Sequence, residues 1–281
     1  MRKIVVTGHL GFIGRHLCRK LVGFGYKFEG IDLSDNRDIR KLEPRDFKGI
    51  EYVLHLAAIP KVQQSIDEPI LTNEHNMYGT LNVLWCAKEA GVKRVIYSSS
   101  SSIYGIQTEL PLKEDMKPNP VSPYGIQKIA GEYYCKNFFN LYGLETVSLR
   151  YFNVYGEDMP AAGSYSAYIY NLIDCYKSKK VLPIYGGKQT RDFTYVGDVV
   201  MANILAMTSP KVGKGESINI GSGENYSIEY IANEVKAHIK YQSQKKGEPK
   251  DTLADISKAK ELLDWQPETN LIQWLKKTLN T

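Results

Sequence analysis

Several features are scarce in this chain of 281 residues. No apolar stretch approaches the ~18 residues that a membrane-spanning helix needs, so no membrane association is expected. No leader pattern follows Met1: the strand-like Arg2-Lys3-Ile4-Val5-Val6 begins at once, and a cytoplasmic location is the default expectation. The four cysteines, Cys18, Cys86, Cys135 and Cys175, are widely spaced and form no C-x-x-C pair. The five histidines show no helical ligand spacing either, so no metal site is expected and the cysteines read as packed thiols. A dense basic run is also missing. Lys+Arg 36 against Asp+Glu 31 leaves a net charge of +5, and Lys245-Lys246 is only a pair. Nucleic acid is therefore not an expected partner, whereas an anionic metabolite is compatible with the mild excess. Internal repeats and low-complexity tracts are absent.

What is present alternates regularly. Ile4-Val5-Val6 is a continuous apolar strand, and residues 12–21 repeat apolar side chains at helical spacing. A second strand is expected near 27–32. A third, Tyr52-Val53-Leu54-His55-Leu56, is apolar enough to be buried on both faces. Residues 94–98 and 146–150 read as further strands, with long helical patterns at about 70–90 and 123–141. This alternation predicts an α/β fold: a Rossmann-type doubly wound parallel sheet over residues 1–152. Beyond 152 the character changes. Residues 156–163 are loop-like, and helical segments near 196–207, 227–240 and 256–263 are separated by runs too short to extend one sheet. A smaller C-terminal α/β substrate lobe over 153–281 is expected, with a segment near 194–215 returning to the first domain. A cleft between two such lobes is a favoured ligand site.

Thr7-Gly8-His9-Leu10-Gly11-Phe12-Ile13-Gly14 falls between strand one and helix one. Glycines there let the backbone turn tightly and approach a pyrophosphate, and the helix N-terminus adds N–H groups and partial positive charge. Asp32 ends the second strand, where a carboxylate accepts the ribose hydroxyls of NAD and repels the extra phosphate of NADP. Arg37 offers a phosphate partner nearby, so NADP is disfavoured rather than removed.

Ser122-Pro123-Tyr124-Gly125-Ile126-Gln127-Lys128 opens a helix, and its spacing sets Tyr124 and Lys128 on one helical face. A tyrosine with a free pKa near ~10 is a poor base at neutral pH, but a neighbouring ammonium and a nicotinamide cation favour its phenolate. The serine run in Tyr97-Ser98-Ser99-Ser100-Ser101-Ser102-Ile103-Tyr104-Gly105 follows the fourth strand, at the carboxyl end where ligands collect.

The Gly-x-x-Gly-x-x-Gly spacing with Phe12-Ile13 inside it, the acidic strand end, the serine run and the Tyr-x-x-x-Lys, in this order, resemble one family. It is the extended short-chain dehydrogenase/reductase family of NAD-dependent nucleotide-sugar epimerases and dehydratases. The resemblance implies a catalytic triad of Ser100, Tyr124 and Lys128, the serine being found by counting back from Tyr104-Gly105. It assigns NAD to Gly8, Gly11, Phe12, Ile13, Gly14, Asp32, Asp38, Ile39, Leu56, Ala57, Ala58, Asn76, Ser98, Tyr124, Lys128 and Tyr151. His55, ahead of Leu56-Ala57-Ala58, is expected to be structural. Arg150-Tyr151-Phe152-Asn153-Val154-Tyr155-Gly156 is a particularly specific match and gives Asn153 a substrate-diphosphate role. Arg191, in Arg191-Asp192-Phe193, is implied near the substrate nucleotide, with a structural pairing to Asp192 as the competing reading. Ser100, Ser101 and Ser102 are expected to border the substrate, and Lys246 stands where relatives often carry an arginine before Pro-Gly. Pro160-Ala161-Ala162-Gly163 and Tyr165-Ser166-Ala167 are expected at the pocket's edge. The family also implies a homodimer through the helices near 73–90 and 123–141.

The departures narrow the reaction. Dehydratases of this family typically carry Asp-Glu directly after the catalytic Ser/Thr; here those positions are Ser101 and Ser102, so a 4,6-dehydratase is not expected. The string from Ser99 to Gly105, followed by Ser122-Pro123-Tyr124, is similar to 4-epimerases of UDP-sugars. The expected activity is thus NAD-dependent 4-epimerisation of a UDP-hexose, of the UDP-glucose/galactose type, through a 4-keto sugar. A 4-ketosugar-nucleotide reductase is the nearest alternative, and an NAD-binding regulator with an idle site is a third. The short stretch between Asp32 and His55 implies an abbreviated adenine side.

Overall fold

The computed structural model describes residues 3–160, 167–243 and 250–280. Strands β1 (Lys3–Thr7), β2 (Lys27–Ile31), β3 (Tyr52–His55), β4 (Arg94–Ser100) and β5 (Glu145–Tyr151) come from the first half. Their connections include α1 (Phe12–Gly23), α2 (Val62–Asp67), α3 (Pro69–Asn73), α4 (Gly79–Glu89) and α5 (Pro123–Tyr142). The expected helix at 70–90 is α3, a π turn at Glu74–Tyr78 and α4 in direct succession. The second half contributes β6 (Val154–Tyr155), α6 (Ala167–Lys177), β7 (Leu182–Tyr185), β8 (Thr190–Arg191), β9 (Thr194–Tyr195) and α7 (Val196–Thr208). It ends with β10 (Lys214–Ile220), β11 (Tyr226–Ser227), α8 (Ile228–Glu234), β12 (Ile239–Gln242), α9 (Ser257–Leu263) and α10 (Leu271–Leu279).

Six parallel strands form the main sheet in the order β10-β5-β4-β3-β1-β2. Period-two alternation divides their side chains between two helical layers. Ile4, Val6, Tyr52, Leu54 and Ile96 pack with α1, α7, α9 and Trp265. Val5, Val53, Val95 and Tyr97 face the opposite layer of α4, α5 and the turns after β2. The sheet is thus covered on both faces, which is what continuous apolar strands require.

Two expectations are corrected here. The C-terminal half does extend the sheet: β10 is a seven-residue edge strand paired to β5, so the returning segment runs beyond 215 to Ile220 and is joined by α9 and Trp265. Its alternating Ser217-Ile218-Asn219-Ile220 masked it, because the polar residues on one face are met by Glu132 and Tyr104 instead of by apolar packing. The helix expected over 227–240 stops at Glu234; Lys236 turns left-handed at φ 55°, and 239–242 pair in parallel with β7. The C-terminal lobe has its own core of Tyr155, Ile169, Leu172, Ile184, Phe193, Ile231 and Leu275.

Between β2 and β3 there is no crossover helix, only 3₁₀ turns at Leu33–Asp35, Ile39–Lys41 and Pro44–Phe47. This is the abbreviation that the short spacing implied, and it leaves β2 at the sheet's edge.

Candidate active site

The chain leaves β1 for β2 on one side and then returns to place β3 on the other. A cavity of about 450 Å³ opens at the carboxyl ends of these strands, where such sheets collect ligands. Gly8 sits at φ 72°, and a Cβ on it would lie 2.7 Å from the Ala57 nitrogen. A Cβ on Gly14 would lie 2.1 Å from the Gly8 carbonyl oxygen, so the helix approaches the loop this closely only because Gly14 has no side chain. Gly11 caps α1 without a side chain, leaving the first helical N–H groups, those of Phe12, Ile13 and Gly14, at the cavity wall. Asp32 lies on the same wall and is oriented by Leu10 N at 3.1 Å and Ser34 N at 2.9 Å. A backbone cradle that a methyl group would fill, an uncapped helix N-terminus and a carboxylate on the same cavity wall suit a dinucleotide without a 2′-phosphate. Arg37 lines the cavity too, but its guanidinium donates to the Glu29 carboxylate at 2.7 Å and to the Gly30 carbonyl at 2.9 Å.

Asp38, Ile39, Leu56, Ala57, Ala58, Ser98, Tyr151 and Asn153 all line the cavity. Arg40 donates to the Asp38 carboxylate from Nε and Nη2, and these bonds hold its pKa below the usual carboxylate range. Asn76 does not reach the cavity. Its side-chain amide accepts from Ile59 N at 2.7 Å and donates to Ile59 O and to Gln127, so it fixes the loop that forms the wall. His55 behaves similarly. Thr80 donates to Asn76 O, so His55 Nε2–H donates to Thr80 at 2.9 Å, and Nδ1 accepts from Thr7 at 2.7 Å. Burial and the nearby Lys128 push its pKa down to about 3.

Tyr124 and Lys128 are set by the start of α5. Ser122 caps the helix through Gly125 N, Pro123 occupies its first turn, and Tyr124 N donates to Ser65 Oγ at 3.1 Å. Both side chains face the cavity wall, with Lys128 Nζ 5.7 Å from the Tyr124 ring centroid. Lys128 Nζ donates to Ser98 O at 2.7 Å; burial lowers its pKa to about 8, against a nearby Glu132. Ser98 Oγ bonds the Tyr151 hydroxyl, which donates to Asn203. Ser100, at the end of β4, accepts from Ser102 N at 3.2 Å and Ser102 Oγ at 3.0 Å. Ser101 lines the cavity, but Ser102, turned toward Ser100, is not in its wall.

The structure therefore brings the three triad residues and the glycine loop to one cavity. Arg191 does not line this cavity. It is 5% exposed on β8, and its guanidinium donates to the carbonyls of Thr190 and Lys250. Asn153, at φ 25°, lines the cavity with its amide donating to Asp192 O at 2.6 Å. Lys246 and residues 161–166 lie outside the described residues; Pro160 is on the wall. Sequence reasoning passed over Ser65, His75 and Ile59, which belong to none of the motifs.

A parallel doubly wound sheet with a glycine cradle and an apposed Ser–Tyr–Lys set defines an NAD-dependent enzyme of the extended short-chain dehydrogenase class. The model of the NAD-dependent epimerase/dehydratase family matches residues 4–221, and the chain belongs to that family. A putative UDP-glucose 4-epimerase of Methanocaldococcus jannaschii is 34% identical, over 99% of this chain and 97% of the relative. A UDP-N-acetylglucosamine 4-epimerase from Methanobrevibacter ruminantium M1, solved with UDP-N-acetylmuramic acid, superposes with a TM-score of 0.92 at 33% identity, covering 99% and 97% of the two chains. The UDP-glucuronic acid 4-epimerase of Bacillus cereus, solved with UDP-glucuronic acid and NAD, gives a TM-score of 0.88 at 33% identity, covering 99% and 98%.

Proposed function

We propose that this chain is a UDP-hexose 4-epimerase of the UDP-glucose/galactose type, inverting carbon 4 through a transient 4-keto sugar. The observation that carries the reading is the meeting of Ser100, Tyr124 and Lys128 on one cavity with the glycine cradle and Asp32. Gly8, Gly11, Gly14 and Asp32 would hold NAD, which when bound would supply reversible hydride acceptance at carbon 4. Tyr124 removes the proton of the 4-hydroxyl and later returns it. Ser100 Oγ has both acceptor positions engaged by Ser102, so its own hydrogen is left to donate to the sugar oxygen as that becomes a carbonyl. The Lys128 ammonium favours the Tyr124 phenolate by its charge. With one N–H spent on Ser98 O, it keeps two for the nicotinamide ribose. Asn153 is our candidate for holding the diphosphate while the keto sugar turns over. Serines at 101 and 102 in place of carboxylates favour epimerisation over elimination.

A second copy of the chain completes the proposed enzyme. Tyr78 and Trp85 near and on α4, and Ile126, Tyr133 and Leu141 on α5, are 44–67% exposed, a large apolar area on two neighbouring helices. We read it as the face of a homodimer.

The test incubates pure enzyme, without added cofactor, with UDP-glucose, UDP-glucuronic acid and UDP-N-acetylglucosamine, and resolves the products by chromatography. The expected result is a 4-epimer of UDP-glucose, with the rate falling roughly 10²–10⁴-fold in Tyr124→Phe. Product only from another sugar reassigns the substrate. NAD(P)H-dependent consumption of a 4-ketosugar nucleotide, with no epimer formed, makes the chain a reductase instead.

A further inference from the structure

A 4-epimerase must keep the same cofactor molecule from oxidation to return, and a loop at the cavity's rim is built for that task; the inference rests on the proposed reaction. The loop at 156–160 leaves β6 and makes contacts on two sides. Toward the C-terminal lobe, the Glu157 carboxylate accepts from Tyr195 OH at 2.8 Å and Trp274 Nε1 at 2.9 Å, which ties it to β9 and α10. Toward the sheet domain, His16 Nε2 donates to the Glu157 carbonyl at 2.9 Å, Arg19 pairs with the Asp158 carboxylate at 2.9 Å, and Arg15 reaches Asp158 O at 3.4 Å. Arg15, His16 and Arg19 belong to α1, the helix whose first turn lines the cofactor cavity, and Pro160 lines that cavity from the loop side. The backbone commits the chain to this path, with Asn153, Gly156 and Asp158 all at positive φ (25°, 154° and 59°).

We propose that Glu157 and Asp158 form a two-sided latch that ties the cradle helix α1 to the C-terminal lobe, so that bound NAD leaves only when the tie opens. Each contact alone is weak: the Arg19–Asp158 pair is exposed on both sides, and such pairs contribute little. The strength lies in their combination, because one short loop carries hydrogen bonds to α1, β9 and α10 at once. None of these groups touches the reacting atoms of the proposed reaction. They are positioning residues, and their effect is on cofactor residence, not on the chemical step.

The test counts NAD carried by the purified protein and times its release, with an NAD-consuming dehydrogenase trapping what is freed. Arg19→Glu is expected to speed release roughly three- to tenfold. Asp158→Asn, which tolerates the left-handed backbone, removes the charge pair and is expected to act in the same direction. Adding Asp158→Lys to Arg19→Glu restores the pair with its signs exchanged and is expected to bring release back toward wild type; Lys179 and Lys236 already adopt that backbone in this chain (φ 55°). With NAD saturating, kcat of all three variants stays near wild type. Unchanged release in Arg19→Glu and Asp158→Asn, or faster release without rescue by the exchanged pair, overturns the latch and leaves the epimerase reading standing. A wild type that purifies without NAD and loses added NAD at once overturns both.

Discussion

Lys128 sits where a cation is costly. Its residue is 4% exposed, and burial lowers its pKa from 10.5 to about 8, with Glu132 acting in the opposite sense. The folded pKa lies below the unfolded one, so between about pH 8 and 10.5 the unfolded chain binds more protons than the folded chain, and stability rises with pH across that window. Below it both states are protonated and the full penalty applies, on the order of 3 kcal/mol. Lys128→Met is therefore expected to make the cofactor-free protein more stable near pH 7, with the gain shrinking toward pH 10, while epimerisation is lost. Urea titrations of both proteins at several pH values check this; parallel stability profiles would show that no buried charge is being removed. At this scale much was legible. The glycines, Asp32, Tyr124 and Lys128, singled out by the order and spacing of their motifs, do line one cavity, because their placement depends on local backbone turns and one helical face. Asn76 and Arg191 bond backbone groups and do not line the cavity, an arrangement that spacing does not reveal, since whether a polar side chain faces a cavity or a backbone carbonyl depends on what packs opposite it.

The element that matters most is α5, which carries Tyr124 and Lys128 in its first turns and is seated by Glu132. That carboxylate accepts from Ser99 on β4, from Arg150 on β5 and from Ser217 on β10, and both members of the Glu132–Arg150 pair have side chains no more than 5% exposed. Arg150 also donates to the Tyr104 hydroxyl, which donates to Asn219, so one buried network spans three strands and a helix. Removing one partner of such a pair strands a buried charge, at a cost of about 3–5 kcal/mol. Glu132→Gln is expected to lose about that much in urea unfolding, while Glu132→Leu combined with Arg150→Met recovers most of it. A Glu132→Gln midpoint equal to wild type would mean that the helix is seated by apolar packing alone. Nothing in the linear order of residues joins 99, 132, 150 and 217. The same network explains why β10 escaped notice, since an edge strand that is half polar for internal partners does not read as apolar.

For the whole molecule, the apolar surface on α4 and α5 predicts association. Tyr133, 62% exposed at the centre of α5, is placed to be covered by a second copy. Tyr133→Glu is expected to shift a dimer to monomer in sedimentation velocity at micromolar concentration, leaving the NAD content of the protein unchanged. Wild-type protein sedimenting as a monomer would remove the homodimer from the proposal. The two lobes also depend on one another: the C-terminal half supplies α7, β10 and α9 to the core of the sheet domain, and the 156–160 loop returns to α1.

By itself, the sequence determined the parallel α/β architecture, the cofactor and the family. These are encoded in short-range patterns: strand and helix periodicity, a glycine turn, a helical i, i+4 pair. Only the tertiary structure decided which half completes the sheet, which polar residues wall the cavity and which hold that wall from behind. It also decided how Glu157 and Asp158 join the lobes. Each of these depends on contacts between residues tens to more than a hundred positions apart, and a chain's local pattern carries no record of what it will face once folded.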